Sequence, residues 1–313
     1  MRNFLIGIVI LAALAAGAFF YYSTPDIARA ALETKYASPV SHYVALRDGA
    51  RAHYRERGPA GAPSLVLLHG SNASLLTWEP WSKRLSDSFH VVSVDLPGHG
   101  LTGAVPNGDY SQDGMAKFVG EFADKLGLKT FALAGNSMGG GVAARFAEEN
   151  PARVTKLILV DAAGMPYRHP DSEPLAFRLA RMPVINKLFL HITPRSLVVQ
   201  GLNQAVEHKE IITDAMIDSY WDFARMEGTR AATLNRFQLP PDGYVADHTA
   251  ALTMPVLILW GDQDRLIPMA TARDWASRIK GGKLIVYPKT GHIPMEEVAE
   301  QSASDVRAFL TVP

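Results

Sequence analysis

The sequence predicts an α/β protein whose sheet is mostly parallel and covered by helices on both faces. Short apolar runs alternate with amphipathic segments such as Ser111–Leu126, and the runs include Leu65–Leu68, His90–Val94 and Lys156–Val160. Strands that are apolar along their whole length are typical of a parallel sheet buried on both faces. The alternation with helical segments therefore favours a layered α/β architecture over an all-β or all-helical one.

Two regions depart from this rhythm and define the predicted domain organisation. An antiparallel hairpin is expected first, because 41–46 and 51–57 alternate around the turn Asp48-Gly49. Later, 165–252 lacks a strong strand and contains helix-like segments such as Leu175–Arg181 and Thr213–Met226. We therefore expect a core of two parts, 40–164 and 253–313, with a helical cap over 165–252 inserted after the sixth strand.

The first 22 residues form a separate segment. Phe4 to Tyr22 is a run of 19 residues without a charge, and a helix of that length spans about 28 Å, close to the thickness of a bilayer. Terminal aromatic residues and Arg2 favour an anchor with its N-terminus inside, so that the catalytic part lies on the extracytoplasmic side. The alternative is a cleaved signal peptide, because Ala16-Gly17-Ala18 has the form of a cleavage site. Residues 23–39 are expected to be a linker.

Composition excludes several classes of function. Lys and Arg together number 31, equal to Asp and Glu, and no basic stripe points to nucleic acid. The absence of cysteine excludes disulfides, a cysteine nucleophile and thiolate metal sites. The sequence has no H-E-x-x-H motif and no P-loop, so no metal, nucleotide or organic cofactor is expected.

The motif that carries chemistry is Gly135-Asn136-Ser137-Met138-Gly139, between a predicted strand and a predicted helix. Strand, G-x-S-x-G and helix together are the signature of a nucleophile elbow. Its glycines allow a sharp turn that lifts one hydroxyl clear of the sheet. The alternative is an inert serine in a glycine-rich turn. Ser137 is thus the candidate nucleophile, provided that it has partners.

A serine nucleophile needs a base and an acid that orients the base. His292 follows the last predicted strand, at the sheet edge where Ser137 is expected. Asp264 follows the preceding strand and gives the chain order Ser, Asp, His. Asp161 satisfies the same order and stays open as the reserve acid, whereas Asp95 precedes the serine and is expected to organise loops.

The oxyanion that forms on attack needs two hydrogen-bond donors. One candidate is the backbone N–H of Met138, at the start of the helix after the nucleophile. The other is the backbone N–H of Ser71, in the loop that follows Leu65–Leu68. His69 and His99 also follow strands, but they lie in glycine-flanked turns and are expected to shape the backbone.

Over about 40–313, the chain resembles the α/β-hydrolase superfamily with a helical cap, and its motifs occur in the order typical of that superfamily. The resemblance rests on His69-Gly70, Asp95–Gly100, Gly135–Gly140, Trp260–Asp264 and Gly291-His292. It implies the triad Ser137, Asp264 and His292, with Ser71 and Met138 as oxyanion donors.

The elbow also resembles that of the meta-cleavage-product hydrolases, which cut carbon–carbon bonds. Ser71-Asn72-Ala73 replaces their glycine-rich loop, and Ile293 stands where they often carry tryptophan. The expected function is therefore hydrolysis of a small carboxylic ester with a hydrophobic part. C–C bond hydrolysis is the alternative, and a non-catalytic membrane-tethered binding module is a third. Apolar cap residues either line the substrate site or form the cap's own core; these are Phe177, Leu179, Met182, Phe189, Trp221 and Phe223.

Overall fold

The structure of the protein is a computed structural model. The structure describes residues 6–7, 10, 17, 19, 21–166, 178, 182, 185–188, 190–239 and 245–312. Most of the predicted anchor or signal segment 1–22 lies outside these residues. Within the described part of the chain, no helix is both long and apolar enough to cross a membrane.

The centre of the molecule is one eight-stranded sheet in the order β1-β2-β4-β3-β5-β6-β7-β8. The first two strands form the predicted hairpin, β2 pairs with β4 antiparallel, and all remaining pairs are parallel. The sheet is therefore mostly parallel, as predicted. The strands are β1 (Ser41–Ala45), β2 (Arg51–Arg57), β3 (Ser64–Leu68), β4 (His90–Val94), β5 (Phe131–Asn136), β6 (Val154–Val160), β7 (Val256–Gly261) and β8 (Lys283–Tyr287).

Helices lie between and around the strands. They are α1 (Arg29–Tyr36), α2 (Glu79–Leu85), α3 (Gln112–Lys125), α4 (Met138–Glu149), α5 (Ile185–Leu188), α6 (Arg195–Ala205), α7 (Asp214–Ala224), α8 (Thr229–Gln238), α9 (Val245–His248), α10 (Met269–Arg278), α11 (Pro294–Glu297) and α12 (Ala299–Thr311). Short 3₁₀ turns occur at Leu75–Trp78, Lys209–Ile211 and Thr249–Ala251. The C-terminal helical region consists of two helices, α11 and α12, because the chain leaves helical geometry at Val298.

The hydrophobic core has two layers, one on each face of the sheet. Alternate residues of a strand point to opposite faces, so Val66 and Leu68 of β3 join one layer whereas Leu65 and Leu67 join the other. The central strands β4, β5 and β7 are buried along their whole length. This burial explains why the sequences of these strands are continuous apolar runs.

Helices α5–α9 occupy the connection between β6 and β7, where the sequence lacks strands. The helix predicted over Leu175–Arg181 lies outside the described residues except for Arg178. The helix predicted over Thr213–Met226 corresponds to α7, and the Thr213 hydroxyl caps it by accepting the Met216 N–H.

The segment predicted as a linker, 23–39, is hydrogen-bonded to this helical connection. The Thr24 N–H donates to the His191 carbonyl at 2.8 Å, and Ile27 forms a parallel bridge with Met226. The Arg230 guanidinium pairs with Asp26 at 2.8 Å. The chain before α1 is therefore attached to the helices that follow β6.

Candidate active site

The turn after β5 has the backbone geometry of a nucleophile elbow. Ser137 has φ 53° and ψ −121°, a positive-φ conformation that non-glycine residues rarely adopt. Its N–H donates to the Val160 carbonyl, and its carbonyl accepts the N–H groups of Gly140 and Ala163. Several bonds thus hold a backbone conformation that costs about 1–3 kcal/mol. Such strain is common at active sites.

The glycine after Met138 is required by close packing. A Cβ at Gly139 would lie 2.4 Å from the carbonyl oxygens of both Leu68 and His69. Any larger residue would push helix α4 away from the end of β3. The G-x-S-x-G pattern is therefore explained by the approach of two backbones as well as by the turn itself.

His292 and Asp264 meet at the same edge of the sheet. His292 Nδ1 lies 2.7 Å from Asp264 Oδ2, and the two side chains are 6% and 0% exposed. The other carboxylate oxygen, Oδ1, accepts the N–H groups of Leu266 and Ile267 at 2.7 and 3.0 Å. The carboxylate is thus fixed by the backbone and can orient the imidazole through Nδ1.

The reserve acid, Asp161, lies next to this pair. Burial raises the pKa of Asp161 well above its ordinary value, and the neighbouring Asp264 carboxylate raises it further. Its Oδ1 accepts the Gly261 N–H at 3.0 Å. Burial and the neighbouring carboxylate therefore both favour the uncharged form of Asp161. The ligand atoms of Asp161, Asp264 and His292 lie within 4.8 Å of one another, the spacing of a potential cation site.

The main chain of His292 is tied to the elbow. Asn136, directly before Ser137, donates from Nδ2 to the His292 carbonyl at 3.0 Å and to the Val160 carbonyl at 3.2 Å. Sequence reasoning missed this role, although an amide beside a nucleophile, at the end of a buried strand, could have suggested it. Within the described residues, the Ser137 hydroxyl itself makes no hydrogen bond. Catalytic hydrogen bonds in ligand-free enzymes are often long and tighten with substrate.

The loop after β3 lies against the elbow. A Cβ at Gly70 would be 3.1 Å from Ser137 Cβ, so Ser71 follows at close range. Met138 is the first residue of α4, where backbone N–H groups have no partner within the helix. The Ser71 hydroxyl accepts a 2.5 Å hydrogen bond from Arg236 Nη2 of α8, a contact that the sequence did not predict.

The histidines and aspartate assigned to loop structure have that role. His69 Nδ1 donates to the Gly70 carbonyl at 2.7 Å, and its Nε2 accepts the Leu96 N–H at 3.0 Å. Burial lowers the pKa of both His69 and His99, which keeps the rings neutral. Asp95 accepts the N–H groups of Leu75 and Leu101.

The apolar cap residues differ in their surroundings. Three of them lie outside the described residues: Phe177, Leu179 and Phe189. The Met182 side chain is 44% exposed. Phe223 is buried in a cluster with Leu32, Leu101 and Met226. The Trp221 indole N–H donates to the Thr193 carbonyl at 2.7 Å. Phe223 thus packs in a core of its own, the second of the two interpretations.

Fold and site geometry together define a hydrolase of the α/β class. Residues 65–305 match the alpha/beta hydrolase family, and the chain belongs to that family. It is 26% identical over 283 residues to a monoacylglycerol lipase of Xenopus laevis, covering 82% of this chain and 78% of the relative.

Solved structures agree with this assignment. A membrane phospholipase A is 27% identical with a TM-score of 0.74, covering 99% of this chain and 98% of that one. A meta-cleavage product hydrolase from Pseudomonas fluorescens IP01 has a TM-score of 0.74 at 20% identity, covering 87% and 97%. The latter likeness shows the fold alone.

Proposed function

We propose that the protein is a serine hydrolase that cleaves carboxylic esters with a hydrophobic acyl part. The observation that carries the proposal is the 2.7 Å contact between His292 Nδ1 and Asp264 Oδ2, beside an elbow serine with a positive φ. Base, acid and nucleophile are thus supplied by three loops that share one edge of the sheet. The raised pKa of Asp161, which favours its uncharged form, also supports Asp264 as the acid.

In the proposed reaction, Ser137 Oγ attacks the ester carbonyl while His292 Nε2 accepts its proton. The developing oxyanion is held by the N–H groups of Ser71 and Met138, and each such donor is worth about 3 kcal/mol. His292 then protonates the leaving alcohol. Water attacks the acyl-enzyme by the same route, and Asp264 keeps Nδ1 protonated and stabilises the imidazolium.

Relatives at 26–27% identity favour a lipid ester as substrate. These relatives are a monoacylglycerol lipase and a membrane phospholipase A. We therefore propose acylglycerols or phospholipids as the substrate class. Hydrolysis of p-nitrophenyl esters of increasing chain length, followed by monoacylglycerol and lysophospholipid, measures the preference. Activity on none of these esters, with rapid bleaching of a yellow ring-fission product, would support C–C bond hydrolysis instead.

The nucleophile is tested with a fluorophosphonate probe and a short p-nitrophenyl ester. The wild type should be labelled at Ser137, and Ser137→Ala should abolish labelling and lower kcat by about 10⁵-fold or more. Ser304→Ala changes an exposed serine of α12 and is the matched control. A folded wild type that is not labelled would contradict the proposal and favour a non-catalytic binding module.

We also propose that the N-terminal segment anchors the protein in a membrane, with the catalytic part extracytoplasmic. The support is the 19-residue uncharged run of the sequence, together with the match to a membrane phospholipase A over 99% of this chain. Alkaline carbonate extraction should leave the protein in the membrane fraction. A soluble product that lacks these residues would identify a cleaved signal peptide.

A further inference from the structure

Helix α6 ends directly against the loop that carries His292. The His292 N–H donates to the Ala205 carbonyl at 2.7 Å. A Cβ at Gly291 would lie 2.4 Å from that same carbonyl oxygen and 3.0 Å from the Glu207 nitrogen. The segment 205–208, at the end of α6, is therefore in backbone contact with the histidine loop, and this contact requires glycine at position 291.

One carboxylate joins the two pieces of chain. Glu297 Oε1 accepts the Gly291 N–H at 2.9 Å, whereas Oε2 accepts the N–H groups of Glu207 and His208 at 2.7 and 2.9 Å. Hydrogen bonds to a carboxylate are about twice as strong as neutral ones. All three donors are backbone groups, so the arrangement fixes main chain on both sides.

A second contact links segment 205–208 to the acid loop. Arg265, which follows Asp264, places Nη2 2.6 Å from Glu207 Oε2. This pair is partly exposed, so its own contribution to stability is small. It shows that both catalytic loops, the one with His292 and the one with Asp264, contact the same four residues of the helical connection.

We propose that Glu297 is a positioning residue, which holds His292 against segment 205–208 so that the imidazole faces Ser137. The inference rests on the proposed function, because it assigns Glu297 a role through the base. His292 is held from opposite sides: its N–H by Ala205 and its carbonyl by Asn136 beside the nucleophile. A displacement of about 1 Å at a catalytic group can cost 100-fold in rate.

The direct test is Glu297→Gln. A glutamine has one acceptor oxygen, and its amide N–H₂ would face backbone N–H donors. We expect kcat on a short p-nitrophenyl ester to fall about 10- to 100-fold, with KM changed less than about threefold. The second-order rate of fluorophosphonate labelling should fall by the same factor as kcat. Glu300→Gln, at an exposed position of α12, is the control.

A second pair of variants removes a donor from the other side of the contact. His208 has φ −78°, which proline can adopt, so His208→Pro deletes the N–H that donates to Glu297. His208→Ala loses the same side chain but keeps this N–H. We expect kcat to fall about 3- to 10-fold in His208→Pro relative to His208→Ala.

All rates are expressed per serine titrated by the probe, so that loss of folded protein does not count as loss of positioning. Equal kcat in His208→Pro and His208→Ala, or a Glu297→Gln protein with wild-type kcat per titrated serine, would overturn the inference while leaving the proposed function intact. A wild type that is not labelled would overturn the proposed function itself, and with it the role of Glu297.

Discussion

Among the residues that the structure describes, two buried histidine–aspartate pairs have the same contact distance but different surroundings. His53 Nδ1 lies 2.7 Å from Asp95 Oδ2, the same distance that separates His292 Nδ1 from Asp264 Oδ2. The first pair joins strand β2 to the loop after β4. In the described part of the chain, His53 Nε2 is buried without a hydrogen-bond partner. The second pair lies on two loops, next to the elbow.

The surroundings, not the contact distance, distinguish the two pairs. Asp95 also accepts the Leu75 and Leu101 N–H groups, so it fixes loop backbone on two sides. The His292 carbonyl is instead bound by Asn136, the neighbour of Ser137. A short contact between histidine and a carboxylate therefore identifies a candidate base only when a nucleophile is within reach.

The largest expected effect separates Asp264 from its buried neighbour. Asp264→Asn should lower kcat about 1,000- to 10,000-fold, because the amide no longer holds Nδ1 protonated. Asp161→Asn should change kcat less than about threefold, since burial and the neighbouring Asp264 already favour the uncharged form of the Asp161 carboxyl, which an amide resembles. Steady-state kinetics on a short ester measures both. A larger loss at Asp161 would exchange the two roles.

The other pair should respond in stability rather than rate. Asp95→Asn removes the charge that binds His53 and two N–H groups, and should lower the free energy of unfolding by about 2–4 kcal/mol. Urea unfolding measures this loss, while kcat per titrated serine should stay within about threefold. A rate loss like that of Asp264→Asn would show that the two pairs are not distinct.

The pH dependence of stability should also differ around the two pairs. Burial would raise the pKa of Asp95, but the His53 hydrogen bond and charge lower it below its ordinary value. Its contribution to stability is therefore lost as the pH falls.

Near His292, burial raises the pKa of Glu296 from 4.5 to about 7. The folded state then binds this proton more tightly, so stability falls as the pH rises from about 4.5 to 7.

Glu296→Gln should remove that second dependence. The rise in the Glu296 pKa from 4.5 to about 7 corresponds to at most about 3.4 kcal/mol. The gain is reduced by the lost interaction with Thr77, whose hydroxyl donates to Glu296 Oε1 at 2.5 Å. The variant should therefore gain Tm relative to wild type at pH 8 but not at pH 5. An equal change in Tm at both values would contradict the raised pKa.

The sheet could be predicted from the sequence because its strands are continuous apolar runs. β4 has the bounds of its predicted run, and β3 and β6 begin one and two residues before the predicted runs Leu65–Leu68 and Lys156–Val160. Sequence order likewise predicted which loops share an edge, and hence the meeting of His292 with Asp264. The preference for Asp264 over Asp161 rests on the structure, because both follow strands and both side chains are buried, whereas the contact with His292 Nδ1 is made by Asp264 Oδ2.

Contacts between distant segments could not be predicted. The binding of Glu297 to the N–H groups of Glu207 and His208 joins residues about 90 positions apart. A backbone N–H donates whatever side chain its residue carries, so the sequence does not reveal such a bond. The pairing of His53 with Asp95 was missed for a related reason. His53 lies inside an alternating strand, where a polar residue is expected to face solvent.

The attachment of residues 24–27 to the helical connection has a mechanical consequence. Tension applied to the chain at Tyr22 would reach the bonds of Thr24 to His191 and of Ile27 to Arg225 before it reached any strand. Asp26 and Arg230 would share that load. Force on the N-terminus is thus delivered to the helices after β6, and the sheet that holds the elbow is shielded from it.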